Sequence, residues 1–439
     1  MEHLRRRLTL VDTTLLVVGG IIGTGVFFNT SNVAQRVHTP ALILTAWSIG
    51  GAIALIGALS FAELGAMMPE SGGEYAFLRE GWHPIAGFLY GWTMLVVITT
   101  GAIGAVTMKF AETLATLVPA LDSPWKIKAT GFAALWGLAF VNYLGVKPGA
   151  VVQNIFTAAK LVALACLIAF GANPHGPSHF TMRPFAAGGY EGSLIVAMGA
   201  ALAPILFTYG GWQSSTYTAG EIVNPQRTIP RASIIGILIV IVVYVAAAVT
   251  YLRVLPVEAI RTSGTLATDV AQKVMGNAGA RFISAAIVVS SFGFIDMTIL
   301  TAPRVFYAMA SDGLLFPGSD YVHPKYKTPV VVITLYTVLT TVFMLTGSYD
   351  TLLSYVTFGD WIFFGLTVAA VITLRRRRPD LHRPYKVWGY PVLPAAFVAV
   401  AFTFVVLNFI ANQPQTSYGL AVILAGIPAF YIFRRWNRS

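Results

Sequence analysis

Residues 19–28 read GGIIGTGVFF and interrupt the first apolar segment of the chain. Four glycines within seven positions weaken a helix, because glycine adds backbone entropy and removes side-chain packing. The stretch therefore predicts a helix that unwinds at Gly23–Gly25. Glycines also let membrane helices pack closely, so a tight helix contact is the alternative. A nucleotide-binding glycine loop is excluded because no strand–helix–strand pattern surrounds the stretch.

A second interruption lies in the sixth apolar segment, where residues 203–214 read APILFTYGGWQS. The two breaks thus fall in the first helix of each five-helix half, as expected of inverted repeats whose broken helices meet near the midplane of a membrane. Each break exposes N–H groups on one half-helix and carbonyls on the other. A zwitterion fits such a pair of ends, because its carboxylate meets the amides and its ammonium meets the carbonyls.

The composition indicates a polytopic all-α membrane protein. Of 439 residues, 56% are hydrophobic and 11% are charged, whereas soluble domains carry about 25% charged residues. Twelve apolar segments are predicted to span the membrane: approximately residues 12–37, 40–68, 84–115, 127–145, 149–170, 190–220, 229–254, 277–310, 329–347, 350–374, 390–411 and 416–433. We predict one transmembrane domain over residues 1–439, with repeats at about 12–170 and 190–374 and two further helices at about 390–433.

The net charge of +11 is explained by membrane topology. With the N-terminus inside, 18 of the 29 Lys and Arg residues fall in inner segments, 8 in outer loops and 3 within helices, which fits the positive-inside rule. We expect an integral protein of a bacterial inner membrane, with both termini cytoplasmic and no nucleic-acid partner. The one cysteine, Cys166, lies mid-helix, so no disulfide-linked accessory subunit is expected. No metal-binding or cofactor pattern is evident.

Lys160 is the one charged residue in the otherwise uncharged run 154–170, NIFTAAKLVALACLIAF. A charge inside a membrane is expensive and normally faces the interior of a helix bundle or an aqueous path. The alternative is a lysine that snorkels to the lipid headgroups. Snorkelling is difficult here, because Lys160 lies roughly 18 Å along a helix that begins near Pro148. Lys160 is therefore a candidate functional residue.

Several motifs resemble those of the amino acid–polyamine–organocation (APC) superfamily: residues 23–25 (GTG), 61–65 (FAELG), 71–75 (SGGEY), 207–212 (FTYGGW) and 221–227 (EIVNPQR). Within the superfamily, the L-type and alanine-serine-cysteine exchangers are most similar at residues 152–160 (VQNIFTAAK) and 291–293 (SFG). The resemblance spans the first ten helices. It implies a LeuT-type fold of two inverted five-helix repeats, with the first and sixth helices broken.

The resemblance implies a sodium-independent secondary transporter, in particular an exchanger, of neutral L-amino acids that works by alternating access. It places these residues at the substrate: Ile21, Thr24, Gly25, Phe207, Gly210 and Trp212. Phe207 would cover the bound amino acid as an aromatic gate, with the carbonyls of Phe207 and Gly210 near the ammonium. Lys160 would take the place of a sodium ion between the first and eighth helices. Its partners would be Gly20 and either Ser290 or Ser291.

Three positions depart from the family pattern and leave alternatives open. Thr24 stands where a serine is common, and Asp296 and Asp360 place carboxylates within the eighth and tenth helices. Either aspartate could pair with Lys160 or Arg304, or bind a proton or a cationic substrate. A proton-coupled amino acid transporter and a transporter of cationic amino acids or polyamines therefore remain alternatives, as does a membrane amino acid sensor. An enzyme is not expected, because no catalytic set of His, Cys and Asp is evident.

Overall fold

The structure is a computed structural model that describes residues 6–70, 72–173, 179, 190, 193–346, 349–411 and 413–436. Ser71 of the SGGEY motif, residues 191–192 and 347 of the predicted segments, and both ends of the predicted domain lie outside this description. The α-helices are α1 (Leu10–Ile21), α2 (Asn29–Ala34), α3 (Pro40–Met67), α4 (Glu74–Gly81), α5 (Pro84–Thr93), α6 (Thr99–Leu117), α7 (Pro124–Tyr143), α8 (Val146–Gly171), α9 (Leu194–Tyr209), α10 (Ser214–Tyr217), α11 (Pro225–Val254), α12 (Val257–Thr262), α13 (Leu266–Ser311), α14 (Val330–Thr346), α15 (Tyr349–Arg377), α16 (Val392–Ala411) and α17 (Gln415–Trp436).

Nine of the described helical segments are long and apolar enough to cross a membrane: Pro40–Met67, Pro84–Leu117, Val146–Gly171, Leu194–Tyr217, Pro225–Val254, Leu266–Ser311, Thr357–Arg377, Val392–Ile410 and Gln415–Trp436. Two shorter helices, Leu10–Ile21 and Val330–Leu345, are also apolar. Each of the twelve predicted segments falls on one of these helices, on α7, or on a pair of helices separated by a break. The all-α polytopic class is therefore confirmed, with the first and sixth spans broken. The limits of the two repeats stay a prediction.

Local signals explain where several helices begin or bend. Thr9 caps α1, because its hydroxyl accepts from the Asp12 N–H at 3.3 Å while its own N–H donates to the Asp12 carboxylate at 2.9 Å, which is a capping box. Thr39 caps α3, and Pro40 occupies a first turn that needs no N–H. The chain bends inside α13 at Gly276, whose φ is 68°. That bend agrees with the predicted start of the eighth segment at residue 277.

The third span contains a π-helical turn. Helices α5 and α6 form one span that is joined by the π-helical residues Met94–Ile98. The hydroxyls of Thr99 and Thr100 donate to carbonyls five residues earlier, at 2.8 and 3.0 Å. Such turns are rare and frequently occur at functional sites. This turn packs against α15 and forms one wall of the cavity described below.

The first and sixth spans lie side by side within the bundle. Helix α1 packs against α8, α11 and α13, and α9 packs against α2 and α3. Lys147 and Asn154 of α8 donate to the two carboxylate oxygens of Asp12 in α1, at 2.7 and 2.8 Å. The segment before α1 is bonded to the segment after α10, because the Val223 N–H donates to the Leu8 carbonyl at 2.9 Å. These contacts bring the two breaks together.

Candidate substrate site at the two helix breaks

The first break separates α1, which ends at Ile21, from a short 3₁₀ turn at Gly25–Phe27. The first N–H groups of a helix have no partner within the helix. Here the N–H groups of Thr24 and Gly25 find no acceptor among the described residues, and both residues line a cavity. Adjacent unpaired backbone N–H groups beside a cavity can donate hydrogen bonds to an anion. This side of the break can therefore bind a carboxylate.

The second break runs from Gly210 to Gln213, between α9 and α10. Gly211 has a φ of 119°, a conformation that suits glycine. Its N–H donates to Gln213 Oε1 at 3.1 Å, and its carbonyl accepts from Ser214 Oγ at 2.8 Å. A Cβ atom at Gly211 would overlap the carbonyl of Gly20. The backbones of the two breaks are therefore in direct contact.

A cavity of about 120 Å³ lies beside both breaks. It is larger than one water requires, roughly 10–15 Å³, and smaller than the roughly 300–1,000 Å³ of sites for drug-sized ligands. Five of the six predicted substrate residues line it: Ile21, Thr24, Gly25, Phe207 and Gly210. The cavity therefore suits a small ligand that touches both breaks.

Trp212 is the sixth predicted substrate residue, and it does not line the cavity. Its ring is buried against Phe364 and Phe397, with centroids 5.0 and 6.4 Å away. The turn at Gly210 and Gly211 directs the next side chain into the aromatic core of the bundle. Proximity to the break in sequence does not bring this ring to the cavity.

Lys160 is fully buried and binds the first break. Its Nζ donates to the carbonyls of Gly19 at 3.0 Å and Ile22 at 2.5 Å, so the ammonium does not reach a membrane surface. The partners differ from the predicted Gly20, which instead packs against Gly211. No described carboxylate pairs with Lys160, so the carbonyls of Gly19 and Ile22 are the partners of its ammonium among the described residues.

Two adjacent serines of α13 make different contacts. Ser290 Oγ donates to the Gly23 carbonyl in the break at 3.0 Å. Ser291 Oγ donates to the Ile287 carbonyl of its own helix at 2.9 Å. Lys160 of α8 and Ser290 of α13 therefore bind three carbonyls of the first break.

Tyr244 of α11 contacts both breaks, and sequence reasoning does not find it. Its hydroxyl lies 2.9 Å from the Ile21 carbonyl and 3.2 Å from the Thr208 carbonyl. A tyrosine within an apolar segment carries no signal for this role. Thr99 and Thr100 are adjacent threonines at the π-helical turn. This pair is visible in the sequence and could have indicated that the turn forms a wall of the cavity.

The two candidate aspartates occupy different places. Asp296 does not line the cavity; its Oδ1 accepts from Asn142 Nδ2 at 2.7 Å, and its Oδ2 has no partner among the described residues. Asp360 lines the cavity. Neither carboxylate pairs with Lys160. The two aspartates therefore lie in different surroundings.

Arg304 pairs with Glu221 and not with either aspartate. Its Nε donates to Glu221 Oε2 at 2.9 Å, and both side chains are buried. A buried charge of this kind needs such a partner. In the part of the chain that the structure describes, no group of three or more His, Cys, Asp or Glu side chains could hold a metal ion.

Comparison with known proteins agrees with this geometry. The sequence matches the amino acid permease family over residues 8–430. The chain belongs to the amino acid permease family. This permease is 34% identical over 442 residues to the serine/threonine exchanger SteT of Bacillus subtilis, an alignment that covers 99% of this chain and 98% of that protein.

Human relatives align over nearly the whole permease as well. The b(0,+)-type amino acid transporter 1 is 31% identical, over 98% of this chain and 88% of its own. The large neutral amino acids transporter small subunit 2 is 32% identical, over 99% of this chain and 82% of its own. The family match and these relatives confirm the APC resemblance. With its membrane-spanning helices, the permease is an integral membrane protein.

Proposed function

We propose that this permease is a sodium-independent exchanger of neutral L-amino acids that works by alternating access. The observation that carries the proposal is the small cavity beside two broken helices in backbone contact. The relative named as a serine/threonine exchanger supports antiport. The relatives named as amino acid transporters support the substrate class.

The backbone at the breaks suits the charged ends of an amino acid. The N–H groups of Thr24 and Gly25 lack a described acceptor and would bind the carboxylate. The carbonyls of Phe207 and Gly210 would accept from the ammonium, and the Phe207 ring would cover the bound molecule. Among the described residues, no basic side chain lines the cavity. Backbone dipoles would therefore supply the positive potential that the carboxylate requires.

The position of Lys160 supports independence from sodium. Its ammonium binds two carbonyls of the first break, and Ser290 of α13 binds a third. Hard cations are also bound by oxygen atoms of this kind. An ammonium at this point would supply the charge of a metal ion and occupy its oxygen ligands. Transport would then need no sodium gradient.

Alternating access requires the two broken spans to move against the surrounding helices. Asn29 of α2 donates to Thr208 Oγ1 of α9 at 2.6 Å. At the other end, Leu8 before α1 is bonded through its backbone to Val223 after α10. Each half of the first span is thus attached to the sixth span. We infer that the two broken spans move together.

The proposal includes a place and a mode of action for the permease. The distribution of basic residues supports cytoplasmic termini, and the bacterial relative supports a bacterial inner membrane. Cys166, the one cysteine of the sequence, lies within α8. The permease would therefore act without a disulfide-linked accessory subunit. It would perform no covalent chemistry, since binding and movement suffice for exchange.

Exchange in proteoliposomes tests the proposal. The purified permease is reconstituted with or without unlabelled L-serine inside, and uptake of radiolabelled L-serine is measured in sodium and in choline buffer at fixed pH. We expect rapid uptake only with internal amino acid, at equal rates in the two buffers. Uptake that rises steeply and saturably with sodium would contradict sodium independence, and equal uptake into empty vesicles would contradict exchange.

The same vesicles separate the alternatives. Uphill accumulation driven by a pH gradient alone would indicate a proton-coupled transporter, a possibility that Asp296 and Asp360 raise. Saturable binding of L-serine without uptake in either buffer would indicate a sensor.

A further inference from the structure

Asp360 is the one charged side chain among the described residues that line the cavity. Its carboxylate makes no hydrogen bond or ion pair with any described residue. A carboxylate within a membrane span is normally paired, because an unpaired charge in that environment is expensive. Because Asp360 lines the cavity, a cationic group bound there is placed to become its partner.

Asp360 lies on a wall that is separate from the first break. Its helix, α15, packs against α3, α4, α6, α16 and α17, and does not pack extensively against α1. The backbone groups proposed to bind the two ends of an amino acid lie at the breaks, so a substrate bound there would direct its side chain toward Asp360. The rings of Tyr90, Trp361 and Phe364 line the same cavity, and aromatic faces attract cations.

A second carboxylate, Glu74 of α4, lies near Asp360. Thr367 of α15 donates to Glu74 Oε1 at 2.9 Å, and the Glu74 side chain is fully buried. Burial and the charge of Asp360 raise the pKa of Glu74 well above its usual range. Two buried carboxylates in proximity resist ionising together. Glu74 does not line the cavity, whereas Asp360 does. Asp360 is therefore the carboxylate of this pair that a ligand in the cavity can reach.

We propose that Asp360 forms a side-chain subsite for small cationic amino acids, which the permease exchanges in addition to neutral ones. This inference rests on the proposed exchange function and extends its substrate class. An ammonium on a short side chain would make a charge-assisted hydrogen bond to Asp360. A hydroxyl would donate more weakly, and a carboxylate would be repelled. The cavity of about 120 Å³ favours short side chains over long ones.

Competition between molecules of equal size tests the subsite. L-2,3-Diaminopropionate differs from L-serine by an ammonium in place of the hydroxyl, and L-aspartate differs from L-asparagine by a carboxylate in place of the amide. Each competes with exchange of radiolabelled L-serine in proteoliposomes. We expect diaminopropionate to compete about tenfold better than unlabelled serine, and aspartate to compete far less well than asparagine.

Matched variants assign the preference to one carboxylate. Asp360→Asn should remove the roughly tenfold preference for diaminopropionate over serine and reduce the discrimination against aspartate. Asp296→Asn makes the same change at a buried aspartate outside the cavity lining and should keep both ratios. Asp360→Glu retains the charge and should keep the preference for the cation. This control distinguishes loss of the carboxylate charge from a folding defect caused by substitution at residue 360.

The outcomes distinguish the subsite from the exchange function. Competition ratios that are the same in the unmodified permease and Asp360→Asn would overturn the subsite. So would an Asp360→Asn variant that changes only the pH dependence of exchange, which would assign this carboxylate to a proton. If the unmodified permease exchanges no serine, the proposed function fails. The subsite is then tested by equilibrium binding of diaminopropionate and serine to the purified protein, with the same expected ratio.

Discussion

The two helix breaks are stabilised in different ways. In the first break, the carbonyls of Gly19, Ile22 and Gly23 accept from Lys160 and Ser290, which belong to other spans. In the second break, both backbone polar groups of Gly211 are bonded within three residues. The first break therefore depends on tertiary contacts, whereas the second depends largely on its own sequence.

This difference indicates which break can respond to its surroundings. Lys160 lies on α8 and Ser290 on α13, so any displacement of α1 relative to these helices must lengthen or break their bonds. The second break retains its hydrogen bonds when its neighbours move, because donor and acceptor move together. Mutations that remove distant partners should therefore impair the first break, and the second should be sensitive to changes at its own glycine.

The largest effect is expected for Lys160→Ala. Two carbonyls of the first break would lose their partner, at about 1–3 kcal/mol for each buried group. We expect exchange of L-serine to fall by at least about 30-fold, measured in proteoliposomes with equal protein content. Lys109→Ala is the matched control, because Lys109 lies in α6 with its side chain 49% exposed. Near-normal exchange by Lys160→Ala would show that the first break does not need its distant partner.

Gly211→Ala tests the backbone conformation of the second break. The φ of 119° disfavours alanine, and the added methyl would overlap the Gly20 carbonyl. We expect an approximately tenfold loss of exchange, equivalent to about 1.4 kcal/mol. Gly199 lies in α9, the helix that precedes the break, and has open space around an added methyl. Gly199→Ala should therefore behave as the unmodified permease. Equal behaviour of the two variants would contradict the direct contact between the breaks.

Phe207→Ala tests whether the second break also closes the cavity. The Phe207 ring forms part of the cavity wall, and its removal would leave the bound amino acid uncovered. The KM for L-serine should therefore rise by roughly tenfold. Phe207→Tyr keeps an aromatic ring and should recover most of the affinity. Unchanged kinetics in a correctly inserted Phe207→Ala protein would remove this residue from the gate.

Ser290→Ala and Ser291→Ala form a pair that isolates the contribution of α13. Ser290 bonds the Gly23 carbonyl of the first break, whereas Ser291 bonds its own helix. One hydrogen bond contributes about 1 kcal/mol, so Ser290→Ala should reduce exchange roughly fivefold. Ser291→Ala should leave exchange within about twofold of normal. A larger effect from Ser291→Ala would indicate that the bridge between the first and eighth spans uses the other serine.

The smallest effect is expected for Thr24→Ser, which keeps the hydroxyl and removes a methyl from the cavity lining. The N–H groups that would bind the carboxylate remain, so exchange of L-serine should stay within about threefold. Larger neutral amino acids should compete slightly better. Measuring a competition series in both proteins tests this expectation. Complete inactivity of a folded Thr24→Ser protein would argue against this placement of the carboxylate.

The sequence predicts much of the architecture because its signals are local. Apolar segments predict spans, and glycine clusters at residues 19–25 and 210–211 predict breaks, since both depend on properties of neighbouring residues. The presence of a buried ammonium in α8 is predicted for the same reason. Its partners are not: they are the carbonyls of Gly19 and Ile22 rather than Gly20, because the end of α1 sets which carbonyls point toward α8.

Three further residues show what such local signals do not determine. Trp212 follows the second break directly, yet its ring packs with Phe364 and Phe397. The direction of a side chain after a break depends on backbone angles that the motif does not specify. Asp296 and Asp360 are equivalent as isolated carboxylates in apolar segments, but only the packing of the helices brings one of them to the cavity.

By itself, the sequence determined the membrane class, the approximate positions of the apolar helices, the two breaks and the unusual position of Lys160. Only the tertiary structure decided that Lys160 meets a carbonyl 141 residues away, that Tyr244 contacts both breaks, and that Asp360 rather than Asp296 faces the cavity. Hydrophobicity and backbone preference are properties of each residue and its neighbours. Which side chains meet depends on how distant helices pack against each other, and no short stretch of sequence specifies that.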